Sequence, residues 1–168
     1  MTPPLGRLSN VTRVRRNHAL EHAAITIITE RHPAVFLRGR SNRKGFYIFG
    51  EVDAAELRSA IDEALARLRL GEVALAIHPR CGTNLAIAGI LSGLCATLAA
   101  QLKPRQNRFS YAILASLGAL MVAPQVGTSA QRHLTTLADQ GDLQVDRVEQ
   151  KRLFWMRDTT HWVRTHST

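Results

Sequence analysis

Three consecutive stretches decide how this chain is built: CGTNLAIAGILSGLCATLAAQL (81–102), KPRQNR (103–108) and FSYAILASLGALMVAPQVGTSAQ (109–131). The first and third contain no Asp, Glu, Lys or Arg over 22 and 23 residues, whereas the six-residue link carries three cations. A helix needs roughly 20 residues to cross a bilayer, with a range of about 17–25. The mostly apolar parts, 84–102 and 110–127, sit at the short end of that range. A short link forces two helices into antiparallel neighbours. Residues 81–127 are therefore read as a hydrophobic helical hairpin, transmembrane or re-entrant. A buried hairpin in a soluble oligomer is the competing reading, because small residues ease packing there too. Two adjacent uncharged windows of bilayer length favour the membrane. Gly89 and Gly93 form a G-x-x-x-G pair, a spacing that lets helix backbones approach closely. This face is expected to serve a homo-oligomer.

Outward from the hairpin the chain is polar, which dilutes the mean hydropathy of the 168 residues to −0.09. With 45% hydrophobic and 21% charged residues it can bury a core and is not a disordered tail. Two cysteines exclude a disulfide scaffold, and reduced thiols are expected. The net charge of +9 suits an anionic partner, with membrane lipid foremost. Nucleic acid is not expected: aromatics are 5% and the cations follow no recognised reading motif. MTPPLGRLSNVTRVRR has no apolar run of the kind a signal peptide carries. With 13 cations before residue 81, the flanks of the hairpin are expected on the cytoplasmic side. The three cations of the link run against that tendency, so spanning and re-entrant geometries both stay open.

The flanks read as α+β. Residues 10–31 predict a helix capped by Asn10, with a ragged apolar face at Val11, Val14, Ala19, Ala23, Ile25 and Ile28. Val35–Leu37 starts a strand, GRSNRKG (39–45) is a basic turn, and Phe46–Phe49 is a strand ended by Gly50. Asp53-Ala-Ala-Glu56 is a capping box for a helix over Ala54–Leu70, stopped by Gly71, with Leu57, Ile61, Ala64 and Leu68 on one face. Val73–Ile77 predicts a central strand, Ser129–Leu137 a short helix, Leu143–Val148 a strand, and Phe154–Val163 a strand and turn. The expected fold is α+β, a small mixed sheet with packed helices, interrupted by the hairpin. Its parts are 1–80, the hairpin 81–127, and 128–168 completing the α+β domain.

The sharpest chemical signal is His18-Ala19-Leu20-Glu21-His22. Positions i and i+4 share a helix face, so both imidazoles can bind one metal ion. Glu21, one residue before His22, can polarise water at that ion, as in the H-x-x-E-H arrangement of inverted zincins. A solvated basic helix is the plain alternative. His78-Pro79-Arg80-Cys81-Gly82-Thr83-Asn84 adds an imidazole and a thiol three residues apart at a Pro turn, both plausible zinc ligands. Thr83 or Asn84 would cap the first hairpin helix. Alone, this motif reads as a strand end followed by caps. Together the two motifs point to a shared metal site.

NHALEHAAI (17–25), GRSNRKGFYIFG (39–50) and HPRCGTN (78–84) resemble an uncharacterised bacterial family of small membrane-associated proteins. That family pairs H-A-L-E-H-A with G-F-Y-I-x-G and H-P-x-C-G-T-N, ahead of two hydrophobic helices. A second uncharacterised, multi-spanning family is similar in pairing H-G-A-E-H-K with H-P-R-C-G-T. The resemblance covers most of residues 14–125. It implies that His18, Glu21, His22, His78 and Cys81 belong to one site, without naming an activity.

Three functions follow as expectations. One is a membrane-embedded zinc hydrolase of peptidase type: His18, His22 and one of His78 or Cys81 hold zinc, and Glu21 is the general base. Another is a closed structural or sensing site with His18, His22, His78 and Cys81 as four ligands. The third is a metal-free protein whose basic face binds lipid or, as the lesser alternative, nucleic acid. His32, His133, His161 and His166 are expected at the surface. Trp155 and Trp162 are expected in the core of the tail sheet. Arg13–Arg16 and Arg38–Lys44 are expected to be solvated, with lipid headgroups as their functional alternative.

Overall fold

The computed structural model describes residues 9–102, 104–151 and 159–167. The chain divides into two compact units, Met1–His78 with Thr135–Thr168, and Pro79–Leu134. The α+β class holds for the first.

Helix α1 (Asn10–Arg31) is the centre of that unit. Its cap is Ser9 rather than Asn10: the Ser9 hydroxyl accepts the Thr12 N–H at 3.1 Å, and Asn10 already lies in the helix. Ala19, Leu20, Ala23, Ala24, Ile27 and Ile28 are buried, while Val11 stays exposed. They pack on α2 (Ala54–Arg69), whose Leu57, Ile61, Ala64 and Leu68 are all buried as the spacing predicts. Asp53 caps α2 by accepting the Ala55 and Glu56 N–H groups, which hold its carboxyl below the usual carboxylate range.

The strands are β1 (Arg38–Asn42), β2 (Gly45–Phe49), β3 (Gln144–Lys151) and β4 (Thr160–His166), in the order β1-β2-β4-β3. Every pairing is antiparallel. The basic stretch 39–45 is therefore no plain loop. It forms an edge strand and a tight turn in which Asn42 pairs with Gly45. Its polarity follows from its place: an edge strand faces solvent and cations there discourage pairing with other chains. Phe46, Ile48 and Val163 point into the core, and Trp162 rests on Tyr47 with ring centroids 4.4 Å apart. Trp155 and Phe154 lie outside the described residues.

Val73–Ala76 is a single 3-10 turn, not the central strand expected from its apolar run. Short apolar runs do not distinguish strand from buried turn. Two further expectations give way. Arg16 is buried, donating to the Asp139 carbonyl at 2.9 Å and to Asp142 at 3.2 Å, because helical spacing turns it inward while Val11 faces out. Arg13 and Arg15 also donate, to the carbonyls of Ser167 and Thr136. His161 is 1% exposed, since alternation along β4 sends it to the core face. Its Nε2–H donates to the Val52 carbonyl at 3.1 Å, and its Nδ1 has no partner among the described residues. His32, which ends α1, and His166 are exposed and pair with Glu56 and Asp146. His133 is exposed as expected.

The second unit consists of α3 (Gly82–Leu102) and α4 (Arg108–Ala130), packed on each other. Thr83 and Asn84 are in the first turn of α3 rather than capping it, because the helix starts at Gly82. The helix expected at Ser129–Leu137 is instead the end of α4 running into a π-turn over Gln131–Thr135. At 1.5 Å per residue α3 is about 32 Å long, against a hydrocarbon core of about 30 Å. Both helices are long and apolar enough to cross a membrane. None of α3's residues is fully buried, and Leu85, Ile90, Leu94, Leu114, Leu117 and Met121 are exposed.

Small side chains dominate the α4 side of the contact between the two helices, and on α3 they alternate with Ile87, Leu91 and Cys95. Ala88, Ser92, Ala96 and Ala100 are half-buried along α3, and Ala119, Ala123 and Gly127 are buried on α4. The Ser116 hydroxyl donates across to the Ser92 carbonyl at 3.4 Å. At one end Gln131 Nε2 donates to Asn84 Oδ1 at 2.7 Å, and Asn84 Nδ2 donates to the Pro79 carbonyl at 2.9 Å. Gly89 and Gly93 lie on the opposite, exposed face, where an added Cβ would meet nothing within 4 Å.

This packing fixes the outcome of glycine substitution. A Cβ on Gly127 would overlap the Asn84 carboxamide and lie 3.3 Å from the Asn84 Cα. Gly127→Ala should destabilise the hairpin by about 1–3 kcal/mol, read as thermal unfolding in detergent. Gly89→Ala should not lower the stability of a monomeric preparation.

His161 gives a pH dependence. Burial pushes its pKa below the usual 6.5, against the opposing pull of the Val52 carbonyl and the Asp53 and Glu51 carboxylates. The unfolded chain then takes up the proton more readily than the fold. This stability is present above about pH 6.5 and lost as pH falls through the lower folded-state pKa. Melting curves at pH 7.5 and 5.5 should show a larger gap for the wild type than for His161→Gln.

Candidate metal centre

His18 and His22 lie one turn apart on α1, with ring centroids 4.3 Å apart. Their tautomers follow from their partners. His22 Nδ1 is 2.8 Å from the Ala76 carbonyl, and His18 Nδ1 is 3.0 Å from the Thr135 carbonyl. A carbonyl oxygen only accepts, so Nδ1 carries the proton in both rings. In each neutral imidazole the lone pair is then on Nε2, the ligating nitrogen. A ligating histidine usually donates its other N–H to a carbonyl or carboxylate, which fixes ring orientation and raises basicity. His22 is buried and His18 half-buried.

His78 follows the 3-10 turn that supplies the Ala76 carbonyl. Its ring centroid is 5.7 Å from that of His22. The structure thus brings His18, His22 and His78 together within the first unit. Cys81 belongs to the second unit, where it immediately precedes α3 and accepts the Thr83 N–H on Sγ at 3.4 Å. It is buried, and among the described residues neither it nor Cys95 forms a disulfide.

Glu21 is 4% exposed and turned toward β1. At about 100° per residue it sits a quarter turn from His22. Its Oε2 accepts a short hydrogen bond from the Ser41 hydroxyl, and its carboxylate lies against Gly39. A Cβ at position 39 would overlap the carboxylate, so a larger residue there requires Glu21 to shift. The sequence reading missed Ser41 and Gly39, which it took for parts of a turn. Their signal was the Gly-x-Ser spacing of a strand, whose alternate residues share one face. The carbonyls of Ala76 and Thr135 leave no signal in side-chain identity. Buried Asn17, one residue from His18, also ties α1 to the sheet: it donates to the Asn42 carbonyl and accepts from the Thr165 hydroxyl at 2.8 and 2.7 Å.

These residues fall inside a match to a family model. Residues 13–148 fit a domain of unknown function, DUF6391. An uncharacterized protein of Picosynechococcus sp. is 41% identical over 135 residues, a match covering 73% of this chain and 65% of that protein. The chain therefore spans a little under two thirds of that relative's length. No solved structure matches. With the family model covering α1 through most of β3, the chain belongs to the DUF6391 family, whose function its own description leaves open.

Proposed function

We propose that this protein is a membrane-associated zinc hydrolase of peptidase type. The observation that carries the reading is the matched pair of Nδ1–H bonds, which aim the Nε2 lone pairs of His18 and His22 for one ion. His18 and His22 supply two imidazoles, and Cys81 of the second unit is the thiol ligand this reading assigns. Mixed imidazole and thiolate donors suit zinc. His78 is the further candidate ligand. Three protein ligands leave a fourth position for water, and Glu21 is the general base that removes the water proton. The hairpin sits in the bilayer, supported by its length, its uncharged sequence and its exposed leucines. The α+β unit faces the cytoplasm, and the Gly89–Gly93 face of α3 meets a second copy.

A closed structural or sensing site with four ligands is the second reading. One observation favours it: the Glu21 carboxylate is already held by Ser41 and lodged against β1. In that reading Glu21 fastens α1 to the sheet and takes no part in proton transfer.

Metal content of detergent-purified protein separates these outcomes. The wild type should carry about one zinc ion per chain, and His22→Ala should lose it. A general base can be replaced without loss of metal, so Glu21→Gln should keep about one ion while ending hydrolysis. Metal affinity falling about 10–100-fold in Glu21→Gln would make Glu21 a supporting partner of the ligands instead. Retention of metal in only one of His78→Ala and Cys81→Ser supports the open, three-ligand site. Loss in both supports the closed one.

Gly39→Ala tests the Glu21 pocket separately. It should destabilise the fold by about 1–3 kcal/mol in thermal melts. Metal content should stay near wild type, because the imidazoles are anchored on Ala76 and Thr135 rather than on β1.

A further inference from the structure

The hairpin unit carries a groove of about 320 Å³, lined by Arg80, Cys81, Asn84, Leu85, Ala88 and Leu120 among others. That volume is at the lower end of ligand sites, roughly 300–1,000 Å³. Among the described residues its lining is mostly apolar, holds no carboxylate, and has Arg80 as its one charged side chain. The groove also begins at the N-terminal end of α3, a 21-residue helix whose dipole favours negative charge there.

We propose that this groove holds one anionic phospholipid, with its phosphate at Arg80 and its acyl chain along Leu85, Ala88 and Leu120. The inference rests on the membrane reading of the hairpin. Charge complementarity selects the head. The polar side chain of Asn84 is already engaged on both atoms, by Pro79 and Gln131, which leaves the guanidinium as the group for a phosphate. The apolar wall selects the tail. Leu85 lies on the exposed face that continues through Ile90, Leu94 and Leu98, so the occupant must carry a long apolar part. A peptide along this wall would leave its amide groups facing Leu85, Ala88 and Leu120 without partners, at a cost of several kcal/mol for each in hydrocarbon. An acyl chain has no such groups.

The test uses the full chain purified in detergent. Dioleoylphosphatidylglycerol or dioleoylphosphatidylcholine is titrated in, and bound lipid is counted by native mass spectrometry. One phosphatidylglycerol should be retained about fivefold more strongly than phosphatidylcholine. Arg80→Gln should erase that preference, and Arg105→Gln, on the link between the helices, should preserve it. Ala88→Phe, which fills the groove, should lower retention of both lipids and serves if Arg80→Gln fails to fold. Equal retention of the two lipids, or an unchanged preference in Arg80→Gln, would overturn the inference while leaving the membrane reading intact. A chain that is a stable, lipid-free monomer without detergent would overturn both.

Discussion

Helix ends leave carbonyl oxygens without intrahelical partners, and this structure meets that requirement with imidazoles. Ala76 closes the 3-10 turn and Thr135 closes the π-turn, so both carbonyls sit at the negative ends of helical segments. His22 and His18 donate to them from a single face of α1. The arrangement satisfies one buried and one half-buried acceptor, fixes two ring tautomers and ties α1 to the segments at either edge of the hairpin sequence. A strand at 73–77 would have committed the Ala76 carbonyl to a sheet neighbour. The turn releases it for His22 and delivers His78 two residues later.

The same helix explains which parts of the molecule were legible in its sequence. Where one face is apolar and the other polar, periodicity was enough: α2 buries the four residues its spacing picks out. The hairpin was legible for a related reason, since length without charge is a property of composition alone. The edge strand β1 was not, because its residues are polar on an exposed edge, where alternation carries no hydrophobic contrast. Arg16 and His161 were misplaced because polar residues are expected outside. Each is admitted to the interior by a specific acceptor, Asp139 and Asp142 for Arg16 and the Val52 carbonyl for His161. In the site, the i, i+4 spacing gave His18 and His22 and the motif pairing gave His78. The backbone acceptors and the Ser41–Glu21 bond depend on tertiary packing that no local pattern encodes.

Glu21 shows why a motif fixes residues more firmly than roles. In H-x-x-E-H the carboxylate is one residue from the second histidine, which makes it available to an ion on the imidazole face. Helical geometry also turns it about 100° away from His22, and here β1 has been shaped to receive it. A glycine at 39 removes the one Cβ that would exclude the carboxylate, and Ser41 donates to it. Such a pocket desolvates a carboxylate and then pairs it, which is what either a held base or a structural anchor requires. The chemistry therefore turns on whether Ser41 is an orienting donor or a final partner.

The two units meet one constraint by different means: a polar group removed from water must be paired. In the α+β unit Asn17, Arg16, His18 and His22 pair with backbone carbonyls, and Glu21, Asn17 and Arg16 also pair with other side chains. In the hairpin the pairing is concentrated at one end, where Gln131, Asn84 and the Pro79 carbonyl form a chain of hydrogen bonds between α3 and α4. On α4 the buried residues along that contact are small, Ala119, Ala123 and Gly127. In a bilayer no hydrophobic drive pulls helices together, and close approach of small residues with a few interhelical hydrogen bonds is what holds such pairs. Gly127 makes room for Asn84 at that end, while Gly89 and Gly93 lie exposed on the opposite side of α3. A hairpin closed on the alanines of α4 thus leaves Gly89 and Gly93 outside its own contact.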